Sequence, residues 1–405
     1  MNDYPTRIGY TQALQIVATV AHARRLSTEH RPIQRAEGHV LACDLLAPID
    51  LPAFDNSRMD GFALRHADLA AAAETRLRII GEQYAGPVLA PALQAGQCIR
   101  ITTGAPIPDG CDTVVIKENV REHDGILTVP VPVQAGADIR RQGEDVRAGE
   151  HVLSAGLALS PAQVSLAAAL GVPSLEVARR PTVAVFTTGD ELVEPGLALA
   201  PGQVYNSNRE LLMGLLRNEG LEPVAWPTLP DDPTRIETAL RDAAAAFDVV
   251  IACGGVSVGE KDHLPSLLET HGRIHFWKVR MKPGMPVLFG EMDRAVFLGL
   301  PGNPVSVLAT FLTLGRALLD GMQGRAAPRV RRFARLAGPW RKSHERLEFL
   351  RGQLQHGEDA VLRVVPNGAD ASHRLRAAAQ SDTLIVLPEG LRDYEADELV
   401  EVLDY

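Results

Sequence analysis

Hydrophobic and polar positions change rhythm three times along the chain. "TQALQIVATVAHARRL" (11–26) places Leu14, Val17 and Val20 on one face at helical spacing, and predicts an amphipathic helix with Thr11 as its N-cap. From about 40 to 150 the runs shorten. "CIRITTGAPI", "DTVVIKENV" and "GILTVPVPV" are broken by Gly, Pro and Asp, which predicts a small β-rich domain. "LSPAQVSLAAALGV" (159–172) reads as a helix with marked ends: Ser160 as cap, Pro161 in the first turn, Gln163 completing a capping box and Gly171 as the stop.

After Pro181 apolar strands alternate with helices. "TVAVFTTGDEL", "LEPVAWPTLP", "DVVIACGGVSVG" and "AVFLGL" read as strands. "SNRELLMGLLRNEG", "DPTRIETALRDAAAAF" and "PVSVLATFL" read as helices. That alternation predicts a parallel sheet with right-handed crossovers. The basic stretch "GMQGRAAPRVRRFARL" (321–336) reads as a solvated linker or strand edge. Short β-like runs return after it, from "EFLRGQL" to "ELVEVLDY", and predict a small C-terminal β domain. The expected fold is therefore multi-domain, with a central parallel-sheet α/β domain and β domains on either side.

Length agrees, since 405 residues exceed one ordinary core. A net charge of −9 argues against a dedicated nucleic-acid binder. The N-terminus has no signal-peptide pattern. The longest apolar stretch, 295–312, is interrupted by "PGNP", which argues against a membrane span. Cys43, Cys98, Cys111 and Cys253 form no C-x-x-C pair and read as buried free thiols of a reducing cytosol. The 12 histidines lack metal-ligand spacing; His271 and His275 straddle a turn and a strand start.

Candidate chemistry collects in three loops that follow apolar strands: "TTGDEL", "CGGVSVGEKDH" and "LPGNPVS". Ligands of open α/β sheets bind outside the carboxyl ends of the strands, so these loops are expected to meet. Gly254, Gly255 and Ser257, then Pro301, Gly302, Asn303 and Ser306, are the candidate substrate-binding positions. Asn303 as N-cap and Pro304 behind it put a helix N-terminus there, which favours an anion. Glu191, Asp231 and Asp262 are carboxylates near strand ends. Such oxygen ligands suit Mg²⁺ that bridges substrate phosphates, although Asp231 serves equally well as a helix cap. "HFWKVRMKPGMP" adds Lys278, Arg280 and Lys282, cations for an anionic substrate. "PAFDNSRMDGFAL" presents Asp60 before a glycine in a polar turn.

"DNSRMDGFA", "RITTGAPIP", "IRRQGED", "YNSNRELL", "GGVSVGEKDH", "KVRMKPGMP", "GLPGNPVS" and "EFLRGQL" occur in this order from about residue 7 to the C-terminus. In that combination the chain resembles the molybdopterin molybdenumtransferases of the MoeA type and the E domain of gephyrin. The resemblance implies insertion of molybdate into adenylated molybdopterin, with cleavage of the adenylate assisted by Mg²⁺. It implies a cytoplasmic homodimer with four domains per chain: 7–46 with 150–180, 47–149, 181–326 and 327–405. Molybdopterin adenylyltransferase or molybdoenzyme acceptors become candidate partners; nucleic acid and membrane do not.

The resemblance also assigns residues. Asp60, Thr103, Glu191, Asp231 and Asp262 match positions important for activity, with Glu191 and Asp262 organising Mg²⁺ and the adenylate phosphates. Lys278 and Lys282 match substrate or oxyanion lysines. Lys282, Arg351 and Ser372 are expected to hold molybdate, while Asp60 and Thr103 complete the site from the other subunit. One position departs from the pattern: Met285 stands where many members carry a lysine. A gephyrin-like scaffold, a tungstate-preferring homologue and the shorter adenylyltransferase are the rival readings. The last lacks the "DNSRMDG" and C-terminal segments.

Overall fold

The computed structural model describes residues 4–71, 73–130, 133–256, 262–368 and 374–405. Its centre is a seven-stranded sheet. Val183–Thr187, Val249–Cys253 and Ala295–Leu300 run parallel through its middle. Every residue of these strands is buried. Covered on both faces, they read in sequence as unbroken apolar runs instead of alternating ones.

The sheet is mixed, where sequence predicts a parallel one. Leu288–Met292 lies antiparallel between Ala295–Leu300 and Gly272–Val279. Only Asp293 and Arg294 separate it from the next strand, which is too short for a crossover and long enough for a hairpin. Two antiparallel steps restore direction, so Gly272–Val279 points the same way as the three central strands. Thr6–Ile8 then pairs with it in parallel. The predicted strand over 221–230 shrinks to the exposed pair Val224–Ala225 at the far edge.

Helices cover both faces. Ser207–Asn218 is capped by Asn206, whose side chain accepts from the Arg209 amide, and it buries Leu212, Met213, Leu215 and Leu216. Each such side chain contributes about 1.5–3 kcal/mol of burial. Pro233–Ala246 is capped by Asp232, which accepts from the Thr234 and Arg235 amides; Asp231 does not cap it. Pro304–Met322 forms one continuous apolar helix of 19 residues, 78% of whose span is buried inside the protein. Its length and composition would suffice to cross a bilayer, contrary to the sequence expectation, but its burial is that of a core helix. The helix Tyr10–Ala23 starts after Gly9 without a side-chain cap, so Thr11 lies inside it. Its Val17 and Val20 join the core of the central domain. Residues 4–23 thus pack with the α/β unit, apart from the 28–46 segment with which the sequence reading grouped them.

That segment returns to residues 151–178. Thr28–Pro32 pairs with Ser174–Ala178, and Leu45–Leu46 pairs with His151–Leu153. The helix Pro161–Ala169 has the expected capping box between Ser160 and Gln163. Between these strands sits a six-stranded sheet built on Gly61–Leu64 and Gln97–Ile101, with Phe62, Leu64, Leu77 and Cys98 in its core.

A second six-stranded sheet forms the C-terminal domain around Leu347–His356. The basic stretch before it is largely exposed at Val330, Arg331 and Arg332 and enters a strand at Arg332–Leu336, but its arginines are held in ion pairs. Arg329 meets Asp320 at 2.7 Å and Glu219 at 2.5 Å, while Arg316 holds the other oxygen of Glu219 at 2.6 Å. Arg331 reaches Glu401 and Arg332 reaches Asp404. Acidic partners distant in sequence hide most of these pairs from a sequence reading. The cysteine expectation fails at Cys43, which is exposed; Cys98 and Cys253 are buried. Burial pushes the Cys98 thiol up to about 12, which keeps it protonated and inert.

Candidate active site at the carboxyl edge of the central sheet

Val183–Thr187, Val249–Cys253, Gly272–Val279 and Ala295–Leu300 all end on the same edge of the sheet. The three predicted loops and the lysine-bearing segment therefore meet there. Backbone bonds stitch them together. The Thr188 amide donates to Cys253 O, Gly254 donates to Leu300 O, and Gly189 donates to Leu229 O. Asn208 Nδ2 donates to Gly302 O at 2.7 Å, tying the helix Ser207–Asn218 to the "PGNP" loop. The Trp277 indole donates to Val256 O at 2.8 Å, tying the lysine strand to the "CGG" loop.

Carboxylates gather on this edge. Asp190 Oδ1 accepts the Asp231 amide at 3.0 Å, so the loop after the first strand and the "DDP" turn are joined. Glu191 folds its carboxylate back over Gly189, close enough that a Cβ there would lie 2.6 Å from an oxygen. Asp262 stands two residues before the helix Leu264–His271, whose first amide donates to Gly255 O. Among the described residues no three His, Cys, Asp or Glu side chains form a closed metal cage. The donor set instead fits Mg²⁺, which takes one or two carboxylates and completes its shell with water and substrate phosphate.

Among the described residues, two polar atoms on the edge are buried without a partner: Thr188 Oγ1 and Asn208 Oδ1. Buried hydroxyls and amides are normally satisfied, so unpaired ones beside a set of glycine turns mark where a ligand supplies the missing bonds. Neither residue was singled out from sequence, although both lie inside quoted motifs. The Gly254 amide is already committed to Leu300 O, so this glycine serves through its shape. It sits at φ +91°, and a Cβ here would come within 2.7 Å of the Thr188 carbonyl oxygen. Gly254→Ala is expected to lower substrate affinity at least tenfold while leaving the far β domains folded, as read by ligand titration beside circular dichroism.

The cations are divided. Lys278 adopts φ +72°, unusual for a residue with a side chain, and its Nζ lies 4.2 Å from the centre of the Trp277 ring. Strained backbone of this kind concentrates at functional sites. Lys282 leaves the sheet and pairs with Glu348 of the C-terminal domain at 3.0 Å. Arg351 is 2% exposed and donates to Arg374 O. Positions 348 and 351 fall on opposite faces of the regular strand Leu347–His356. Arg280 pairs with Glu389. Asn303 occupies the N-cap position of the helix beginning at Pro304, where its carbonyl, not its side chain, accepts the Ser306 and Val307 amides, and Ser306 is buried in the first turn. Ser257 and Ser372 lie outside the described residues. His271 and His275 are 3.0 Å and 2.7 Å from Glu237 and Glu291, so carboxylates account for both.

Asp60 and Thr103 sit in the N-terminal sheet. Asp60 Oδ1 accepts from both the amide and the hydroxyl of Thr103 at 2.9 Å, and Lys117 Nζ lies 3.4 Å from Oδ2. The Thr103 amide, with help from its hydroxyl and Lys117, holds the Asp60 carboxyl below the usual carboxylate range. Lys117 was missed by sequence reading because nothing in "VVIKENV" distinguishes it from a solvated lysine. Among the described residues no contact joins Asp60 or Thr103 to the carboxyl edge.

Three family models cover this chain almost end to end: the MoeA N-terminal region (domain I and II) over residues 8–171, a "Probable molybdopterin binding domain" over 184–321, and the MoeA C-terminal region (domain IV) over 334–405. The molybdopterin molybdenumtransferase of Haemophilus influenzae is 38% identical, covering 93% of each chain. The chain belongs to the molybdopterin molybdenumtransferase family. It is a transferase with the MoeA-type multidomain fold. Molybdopterin molybdenumtransferase 2 of Mycobacterium tuberculosis is 36% identical over 96% of this chain and 98% of its own. The crystal structure of the molybdopterin biosynthesis MoeA protein from Pyrococcus horikoshii superimposes with a TM-score of 0.82 at 29% identity, covering 98% of this chain and all of that one.

Proposed function

We propose that this transferase inserts molybdenum into molybdopterin, taking molybdate and the adenylate of molybdopterin as substrates, at the carboxyl edge of the central sheet. The observation that carries the reading is the buried, unpartnered Thr188 hydroxyl among the glycine turns and carboxylates of that edge. It is placed to donate to a phosphate oxygen. Lys278 stands on the same edge as a counter-charge, and the helix N-terminus behind Asn303 adds a partial positive charge. Glu191 and Asp262 would hold Mg²⁺, with Asp231 fixed beside them through Asp190. Held there, the metal would neutralise charge on the phosphates during cleavage of the anhydride to AMP.

Molybdate is assigned to Lys282, with Arg351, on the face of its strand opposite Glu348, and Ser372 kept as the further candidates that the resemblance gives. Asp60 and Thr103 are assigned to a second subunit of a cytoplasmic homodimer, a reading supported by their bonding, among the described residues, to each other and to Lys117 and not to the carboxyl edge. Purified chain incubated with adenylated molybdopterin, molybdate and Mg²⁺ is expected to release AMP, and chelation of Mg²⁺ is expected to stop it. Persistent release in the chelator would remove the metal from the account.

Met285 gives a further check. It is half-buried in the turn after Lys282, and its carbonyl accepts from the amides of Val279 and Val287. Those backbone bonds do not depend on the side chain. Met285→Lys should therefore keep the turn and add a cation, tightening molybdate binding severalfold in a calorimetric titration. Unchanged binding would move the oxyanion away from this turn.

A further inference from the structure

Lys282 reaches out of the α/β domain. Met281 and Lys282 pair as a short parallel strand with Leu347 and Glu348, which brings the lysine into the C-terminal domain. The Glu348 side chain is only 4% exposed, whereas that of Lys282 is 26% exposed. The ammonium therefore faces outward and the carboxylate stands behind it. A carboxylate this deep persists in charged form only beside a cation.

A second ammonium is close. Lys342 is 2% exposed and donates to the carbonyls of His344 at 2.6 Å and Gly390 at 2.7 Å. Burial pushes its ammonium down, while Glu348, Glu345 and Glu389 act the other way and Lys282 adds to the depression. His344 Nε2 lies 3.2 Å from the same Glu348 oxygen, but without hydrogen-bond geometry. Arg346 closes the group by donating to Met281 O, and Arg280 meets Glu389. Glu348 is thus a buried carboxylate shared by two neighbouring ammoniums, with Glu345 and Glu389 also acting on Lys342.

We infer that Glu348 is a positioning residue for oxyanion capture: it holds Lys282 charged and aimed, while Lys282 makes the contact. The inference rests on the proposed role of Lys282. Without the carboxylate, two ammoniums would share a poorly solvated site, and both desolvation and like charge would favour losing a proton. Lys282 would then bind an anion at low pH and fail as pH rises. Lys282 stands on the outward side of the wild-type carboxylate and offsets its repulsion of the oxyanion.

Molybdate titrations of the whole chain at about pH 6.5 and about pH 9 test this, with wild type, Glu348→Gln and Lys282→Gln compared. Glu348→Gln is expected to bind nearly as wild type at the lower pH. At the higher pH it should lose about tenfold for each unit above the lowered lysine pKa. Lys282→Gln should be weak at both. If Glu348→Gln does not fold, Glu348→Asp replaces it and must show a smaller loss of the same sign. A Glu348 variant that follows the wild-type profile, binds more tightly at high pH, or loses affinity equally at both pH values overturns the inference alone. A wild type that binds no molybdate, or a Lys282→Gln that binds normally, overturns the oxyanion reading and this inference with it.

Discussion

Asp262→Asn slows adenylate cleavage by roughly 10² to 10³, the loss that follows removal of one charged group from a preorganised transition-state site. The substitution keeps the shape of the side chain and removes its charge. Asp262 is only half-buried, and the helix behind it is held by the Leu264 amide on Gly255 O, so thermal stability stays within about 0.5 kcal/mol. Raising Mg²⁺ should recover part of the rate, because a weakened metal site fills by mass action. Asp232→Asn is the control. Asp232 is spent on capping the helix Pro233–Ala246, and asparagine caps equally well, so turnover should not change. Steady-state AMP release across a Mg²⁺ series reads both variants. A normal rate in Asp262→Asn at limiting Mg²⁺ would take this residue out of the metal site.

Asp248→Ala destabilises the central domain by about 3 kcal/mol, the lower end of the range for breaking a buried ion pair. Asp248 is 6% exposed at the mouth of the strand Val249–Cys253. It accepts a two-pronged bond from Arg179 at 2.8 and 2.9 Å, and bonds from the amide and hydroxyl of Thr182 at 2.8 and 2.7 Å. Arg179 follows the strand Ser174–Ala178, so this one carboxylate locks the neighbouring domain to the sheet. The cost stays at the lower end because the Arg179 side chain is 32% exposed and can be rehydrated. Burial alone would push the Asp248 carboxyl up. Arg179 and Thr182 more than offset it and hold the carboxyl well below the usual carboxylate range. Its stabilisation is therefore fully present above the unfolded carboxyl's range and is lost only as pH falls below it. Urea midpoints should separate wild type from variant at neutral pH and converge in strong acid.

Much of this was legible because local chemistry and fold agreed. The capping box at Ser160 and the buried strands after Pro181 carry their signals within a few residues. So do the three loops, and strand polarity alone sent them to one edge. What sequence hid was non-local. The direction of Leu288–Met292 depends on a two-residue hairpin that resembles an ordinary turn. The ion pairs of the basic run around Arg329 were hidden because two of its partners, Glu219 and Glu401, lie 110 and 70 residues away. Thr188 and Glu348 gave no signal in sequence. A hydroxyl becomes informative only when it is buried without a partner, and a strand glutamate only when a lysine from another domain lands on it. Met285 is the reverse case, visible in sequence as a departure whose chemical consequence depends on where its neighbours' charges point.

The most direct test of the account is the metal content of the pterin after reaction. Purified chain is given adenylated molybdopterin, molybdate and Mg²⁺, and the pterin product is separated and its molybdenum counted against AMP released. The account predicts one molybdenum per pterin and one AMP for each, with neither appearing when molybdate or Mg²⁺ is withheld. Pterin recovered free of molybdenum from the wild-type chain, whether or not AMP is released, would contradict it.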